Sequence, residues 1–461
     1  MPVDNNPLPS TTTSNVGTGY LSTGSIQAKL TRGAWLSHLS PFTRRLLFLS
    51  ALSMLMGVIL RLLGFTGGSY SWFLLWPGGS DSWFPVSAAY SHAIENPSGS
   101  IYEVFFSQHI KFQYPPSSLL IYVVAELFGV PPTQSNINVL VWLSILAMPV
   151  VIYGIAMVYM EANQKTLGFK KADRFVIAST FAISCLFFYP IMWAWPMGQV
   201  QALLNLFFAV SCFFWIKDQK LLSGAMVGAI CLVKPQFVLF LLWGALRRQA
   251  GFLAGVLLVL GTGTFAAILL FGFSSHIDYL KVLSFISAHG ETFYANQSIN
   301  GLLNRALTLG YDSSWQGLPE GTPFAPYHPA VYLATLVSGI LINFYGIVQT
   351  RHPSDSCSAL AFVTAALCFT VASPVAWIHH YGIMMPIFVL LFIEIARRGD
   401  DRRSGFLFLW MGVCFIVAAN LVLANERWSG IAAFVDEHAN LLESYLLFAA
   451  FGTLTLLHRL R

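Results

Sequence analysis

The sequence predicts an all-α, polytopic integral membrane protein whose helices cross or enter a lipid bilayer ten or more times. Three observations carry this. Of 461 residues, 56% are apolar and only 10% charged, against about 25% charged in an ordinary soluble domain. The apolar residues fall in long blocks: 46–64, 139–160, 251–273, 331–348, 405–423 and 441–457 each approach or reach the roughly 20 residues that span about 30 Å of hydrocarbon. The charges sit in short clusters between those blocks.

The cations set the orientation. Residues 1–43 are rich in Ser, Thr, Gly and Asn, without an early apolar stretch, and read as a disordered cytoplasmic tail rather than a signal peptide. A single transmembrane domain is expected over 44–461, its first span led by Arg44-Arg45. Placing the tail, 161–174, 217–220, 247–249, 349–356, 397–404 and the C-terminal end on the cytoplasmic side collects 19 of the 25 Lys and Arg there. The net charge of +5 is therefore a matter of topology, and no nucleic-acid partner is expected. The six cysteines lack CxxC or paired spacing and read as packing residues.

On the opposite side lie two long segments, 66–116 and 274–329, and shorter ones near 190–199, 373–380 and 424–440. Alternation of sides does not close if every apolar block is a full span. Pro116–Val130 is short, contains Glu126 and is bounded by Pro115-Pro116 and Pro131-Pro132, so it reads as entering and returning on the outer side. The block 221–246 has Lys234-Pro235 at its centre and reads as a broken hairpin of two half-helices.

The chemistry-bearing residues lie within 66–380. Asp81, in Gly78-Gly79-Ser80-Asp81-Ser82-Trp83, stands close to the outer interface, where apolar neighbours favour the basicity a general base needs; an isolated Asp there equally caps a short helix. Tyr114 opens the re-entry at Tyr114-Pro115-Pro116, and Gln199 opens a span after Pro196-Met197-Gly198. Lys234 has apolar neighbours on both sides, at a cost of roughly 2.5–3.5 kcal/mol by insertion scales, and so reads as facing a polar cavity and an anion; snorkelling to an interface is the alternative. In Tyr294-Ala295-Asn296-Gln297-Ser298, the Asn296 and Gln297 amides suit sugar hydroxyls, and Arg305 suits a phosphate; a capped helix start is the alternative. In Ser373-Pro374-Val375-Ala376-Trp377-Ile378-His379-His380, the histidines suit a phosphate leaving group and Trp377 a sugar face. An interfacial aromatic belt or a zinc site are the other readings of that element, but no Cys or HExxH motif accompanies it.

An Asp after the first span, Tyr-Pro-Pro at re-entry, Gly-Gln opening a helix, Lys-Pro in a hairpin, Asn-Gln-Ser in a loop and Ser-Pro-x-x-Trp-x-His-His follow one another in an order that resembles glycosyltransferase family 87. These are polyprenyl-phosphate-sugar-dependent enzymes of the GT-C superfamily, including mycobacterial α-mannosyltransferases. The likeness covers roughly residues 45–396. It implies a GT-C-type bundle of about 10–13 membrane helices, with long outer loops carrying short interfacial helices. It implies transfer of a hexose or pentose, mannose first among them, from a polyprenyl-phosphate-linked donor to a glycolipid or glycan hydroxyl. The reaction would occur with inversion, on the outer face of the inner membrane. Asp81 would be the base, with Lys234, Arg305, His379 and His380 on the donor phosphate and Tyr114, Gln199, Asn296, Gln297 and Trp377 on sugar or acceptor. Asp81-Ser82-Trp83 lacks the second carboxylate of a DxD pair, so no metal and no cofactor are expected. A secondary transporter with broken helices and a buried charge, or a polymerase or ligase using undecaprenyl-pyrophosphate-linked glycans, are the competing readings.

Overall fold

The computed structural model describes residues 34–62, 79–97, 99–108, 110–307, 324–348, 358–420 and 442–460. Expectations resting on 1–33, Gly78, His109, 349–357, Glu426 and His438 lie outside the described residues.

The chain is an all-α membrane bundle. Its principal helices are α1 (Pro41–Leu62), α2 (Trp83–Glu95), α3 (Leu120–Leu127), α4 (Gln134–Ala162), α5 (Lys171–Cys185), α6 (Gln201–Ile216), α7 (Lys220–Cys231) and α8 (Leu239–Leu246). They continue as α9 (Ala250–Phe271), α10 (Phe273–His289), α11 (Ile299–Leu307), α12 (Pro329–Val348), α13 (Ala359–Val371), α14 (Met384–Arg397), α15 (Arg402–Asn420) and α16 (Tyr445–Leu460). Among the described residues, six helices are long and apolar enough to cross a membrane, and a seventh crossing forms if α5 is joined to Tyr189–Met197 across a 48° bend. Six shorter apolar helices of 10–17 residues accompany them. The first span begins at Pro41, a little earlier than the expected limit of the tail, because Asp173 binds Ser40 N and Thr43 Oγ1 at 2.7 Å and fixes this end of α1 beside the start of α5.

Burial grades outward from the centre. Helix α14 is buried within the bundle along Met384–Ala396, whereas α9 is mostly outward-facing and presents Leu257, Leu258, Phe265 and Leu269. Such an outward apolar surface is stable against lipid chains, not water.

The helix ends sort by charge. Arg45 pairs with Asp400 at 2.8 Å, and Arg398 bonds the carbonyl of Leu460, so the starts of α1 and α15 and the ends of α14 and α16 share one end. The start of α5 and the 217–220 and 247–249 turns belong to this basic end by continuity with α4, α6 and α9.

The two exceptional blocks do not cross. Gly224 of α7 and Gly244 of α8 both face the Phe252–Leu253 turn of α9, so the chain runs in along α7, breaks at 232–234 and returns along α8. Cβ atoms added at Gly224 and Gly255 would lie 2.0 Å from Phe252 O and Leu221 O. Only glycine allows so close a helix pair. The 116–127 element starts at the hairpin tip, where Ser117 Oγ donates to Leu232 O at 2.6 Å, and runs beside α2, with Tyr90 bonded to Glu126. Cys185, Cys212, Cys231, Cys368 and Cys414 are buried and unbridged.

Candidate active site

A cavity of about 1080 Å³ opens at the end of the bundle opposite the basic end. Its polar wall is formed by Asp81, Lys111, Gln113, Tyr114, Gln199, Lys234, Gln236, Trp377 and His379, and its apolar wall includes Trp193, Val238, Leu239, Leu283 and Phe369.

Asp81 is placed by backbone packing. Its N–H donates to Met197 O at 2.9 Å, and Asn138 Nδ2 holds Gly79 O at 3.2 Å. Gly198 has φ +63, and a Cβ on it would sit 2.1 Å from Gly79 O, so the two strands of loop touch backbone to backbone. A side chain at either glycine would push Asp81 away from Gln199.

A chain of hydrogen bonds then fixes the carboxylate. Ser82 Oγ donates to Gln199 Oε1 at 2.7 Å and accepts from Val200 N at 3.1 Å. Because the one Ser82 proton goes to Gln199, Tyr114 is the donor in its 3.1 Å bond to Ser82. Gln199 is left to present Nε2, which donates to Asp81 Oδ2. Asp81 is accessible at the cavity wall yet surrounded by protein. Burial raises its pKa above the ordinary carboxylate range, while the Gln199 bond and the Lys111 charge oppose that rise. A carboxylate so tuned accepts a proton near neutral pH more readily than a surface aspartate.

Lys234 occupies the hairpin tip. Its ammonium stands 2.9 Å from His380 Nε2 and 5.6 Å from the centre of the Tyr114 ring. His380 is held in turn by Trp377 N–H on Nδ1 at 3.2 Å. His379 lines the cavity, and its buried Nδ1 has no hydrogen-bond partner among the described residues. A buried polar atom left open in a cavity wall is a ready contact for a ligand.

Asp81, Tyr114, Gln199, Lys234, Trp377 and His379 are thus brought to one cavity, and His380 stands directly behind Lys234. Three expected residues are not there. Asn296 is fully buried, accepting from Ala376 N at 3.0 Å and donating to Glu291 O at 2.9 Å. Gln297 is likewise buried, donating to Tyr294 O and Glu443 O and accepting from Leu446 N. Arg305 is enclosed by the carbonyls of Thr292, Phe293 and Asn296, Ser444 Oγ at 2.7 Å and Glu443 at 3.6 Å. The reason is common to all three. Where segment 295–297 lies antiparallel to 376–378, crossing backbones leave N–H and C=O groups that an amide or guanidinium can satisfy. These side chains therefore build the wall that carries Trp377 and His379.

Sequence reasoning passed over Lys111, Gln236 and Glu291. Lys111 Nζ lies 2.8 Å from Glu291 Oε2, a partner 180 residues away. The available signal was that Lys111 is one of few cations on the outer side, between segments rich in aromatic residues.

A lipid-facing helical bundle with a carboxylate and a lysine in one terminal cavity defines a membrane enzyme or carrier. Residues 112–374 match glycosyltransferase family 87, more than half of the chain, and the protein belongs to that family. It is a membrane glycosyltransferase with a GT-C-type fold, acting on a sugar donor and an acceptor. The matched stretch contains Lys111's neighbour Phe112, Tyr114, Gln199 and Lys234; Asp81, Trp377, His379 and His380 lie outside it. No curated protein and no solved structure matches the chain.

Proposed function

We propose that the protein transfers a sugar, mannose first among hexoses and pentoses, from a polyprenyl-phosphate-linked donor to a hydroxyl of a glycolipid or glycan. The reaction takes place on the outer face of the inner, plasma membrane. The observation that carries this reading is the shared cavity of Asp81 and Lys234, at the end opposite the cation-rich loops.

In the step so proposed, Asp81 takes the proton of the acceptor hydroxyl as its oxygen bonds to the anomeric carbon. The bond from that carbon to the phosphate oxygen breaks, and the carrier leaves as a phosphate monoester. Its charge grows by one unit during departure, so an ammonium at Lys234 binds the transition state more strongly than the bound donor. A phosphate leaves without being protonated, so no second acid is required. A single displacement inverts the anomeric centre. Trp377 offers a face to a sugar ring, and the apolar wall at Val238, Leu239 and Leu283 is suited to a lipid chain.

The test is transfer by membranes carrying the protein from a panel of polyprenyl-phosphate sugars, with polyprenyl-pyrophosphate and nucleotide sugars alongside. Product from a monophosphate-linked donor alone is expected. Transfer only from a pyrophosphate-linked or nucleotide donor would reject the proposal.

A further inference from the structure

Lys111 shares the cavity wall with Asp81, and its ammonium is anchored 2.8 Å from Glu291 Oε2, with the Phe324 ring centre 4.8 Å away. Glu291 is itself rigidly held. Its N–H donates to Asn300 Oδ1 at 3.2 Å, its carbonyl accepts from Asn296 at 2.9 Å, and its side chain is 1% exposed. Its Oε1 has no hydrogen-bond partner among the described residues, so Lys111 is its compensating charge there. An ion pair this buried costs desolvation, and its retention in a cavity wall calls for a use beyond stability.

We infer that Lys111 is a positioning residue of the reaction, the countercharge of Asp81, and that Glu291 sets how much of that charge reaches the carboxylate. This rests on the reading of Asp81 as the base.

The other groups around the cavity do not replace it. Tyr114 on the same segment and Tyr279 on α10 are phenols, and His379 is a ring with an open Nδ1. Lys234, on the hairpin beside His380, is not among the charges that act on Asp81. Lys111 opposes the burial that disfavours the Asp81 anion, and the Asp81 charge in turn favours the Lys111 cation. Glu291 holds the same ammonium at 2.8 Å, and Lys111 holds Glu291 against its own burial. A carboxylate within the field of an ammonium that is itself paired to a second carboxylate is sensitive to both partners.

The experiment is the pH profile of transfer by the full chain in proteoliposomes, for Lys111→Met, Lys111→Arg, Glu291→Gln and Asp81→Asn. Lys111→Met should move the acid limb to higher pH, each unit of movement being tenfold in rate on the limb. Lys111→Arg should restore the wild-type limb. Glu291→Gln should move the limb to lower pH by leaving the whole ammonium charge to Asp81. A rate lowered by one factor at every pH in Lys111→Met, with the limb unmoved, would overturn the inference. So would a limb in Lys111→Arg that follows Lys111→Met. Asp81→Asn separates the two claims: if it stays active, the base reading itself falls, whereas an inactive Asp81→Asn with an unmoved Lys111→Met limb removes only the role of Lys111.

Discussion

Lys234 Nζ lies 2.9 Å from His380 Nε2, and no carboxylate of the described residues pairs with it. A lysine at a hairpin tip whose contacts are two neutral rings retains its attraction for an anion. Lys234→Met is therefore expected to weaken donor binding about 10- to 100-fold, the range of one charge-assisted hydrogen bond, while Lys234→Arg retains part of it. Equilibrium binding of a polyprenyl-phosphate sugar to purified protein reads this directly. Unchanged affinity in Lys234→Met removes the phosphate role.

Arg305 and Gln297 should behave differently. Arg305→Gln leaves Glu443 buried without its cation, at a cost of about 3 kcal/mol, and Gln297→Ala orphans the carbonyls of Tyr294 and Glu443. Both should lower the melting temperature in detergent. Donor affinity of the folded fraction should stay close to wild type. A large loss of affinity at wild-type stability would return these residues to the binding site.

Gly198→Ala introduces a Cβ 2.1 Å from Gly79 O at a residue with φ +63. Because the reacting geometry tolerates little displacement, kcat/KM should fall about 100-fold with most of the melting temperature kept. A variant of wild-type activity would show that the 79–81 loop need not be clamped.

The bundle was legible in the sequence because blocks of apolar residues and clusters of cations are additive signals, read without knowing what packs on what. The hairpin was legible too, since Lys234-Pro235 breaks a helix wherever it stands. The cavity residues Asp81, Tyr114, Gln199, Lys234, Trp377 and His379 stood out as polar or aromatic groups at the ends of apolar blocks. Asn296, Gln297 and Arg305 lie outside the cavity wall, a placement the sequence does not show because an amide or guanidinium that ties two backbones looks the same there as one that holds a sugar or phosphate. Lys111 escaped notice because its meaning depends on Glu291 and Asp81, both distant along the chain.

Burial raises the Asp81 pKa and the Gln199 bond opposes the rise. With Asp81 as the proposed base the carboxylate is the reactive form, so transfer should be present above this raised pKa and lost as pH falls through it, at a higher pH than for an ordinary aspartate near 3.9. Gln199→Leu removes that opposing hydrogen bond and should carry the acid limb further upward. A limb that stays put, or moves downward, contradicts the role given to the Gln199 amide.

The most direct measurement is the single-turnover rate of Asp81→Asn in proteoliposomes with a polyprenyl-phosphate sugar and a hydroxyl acceptor. Donor binding should be preserved, because the isosteric amide keeps the cavity shape, and transfer should fall by at least about 100-fold, the lower range for loss of a general base. Transfer at the wild-type rate, with donor bound as in wild type, would contradict the account at its centre.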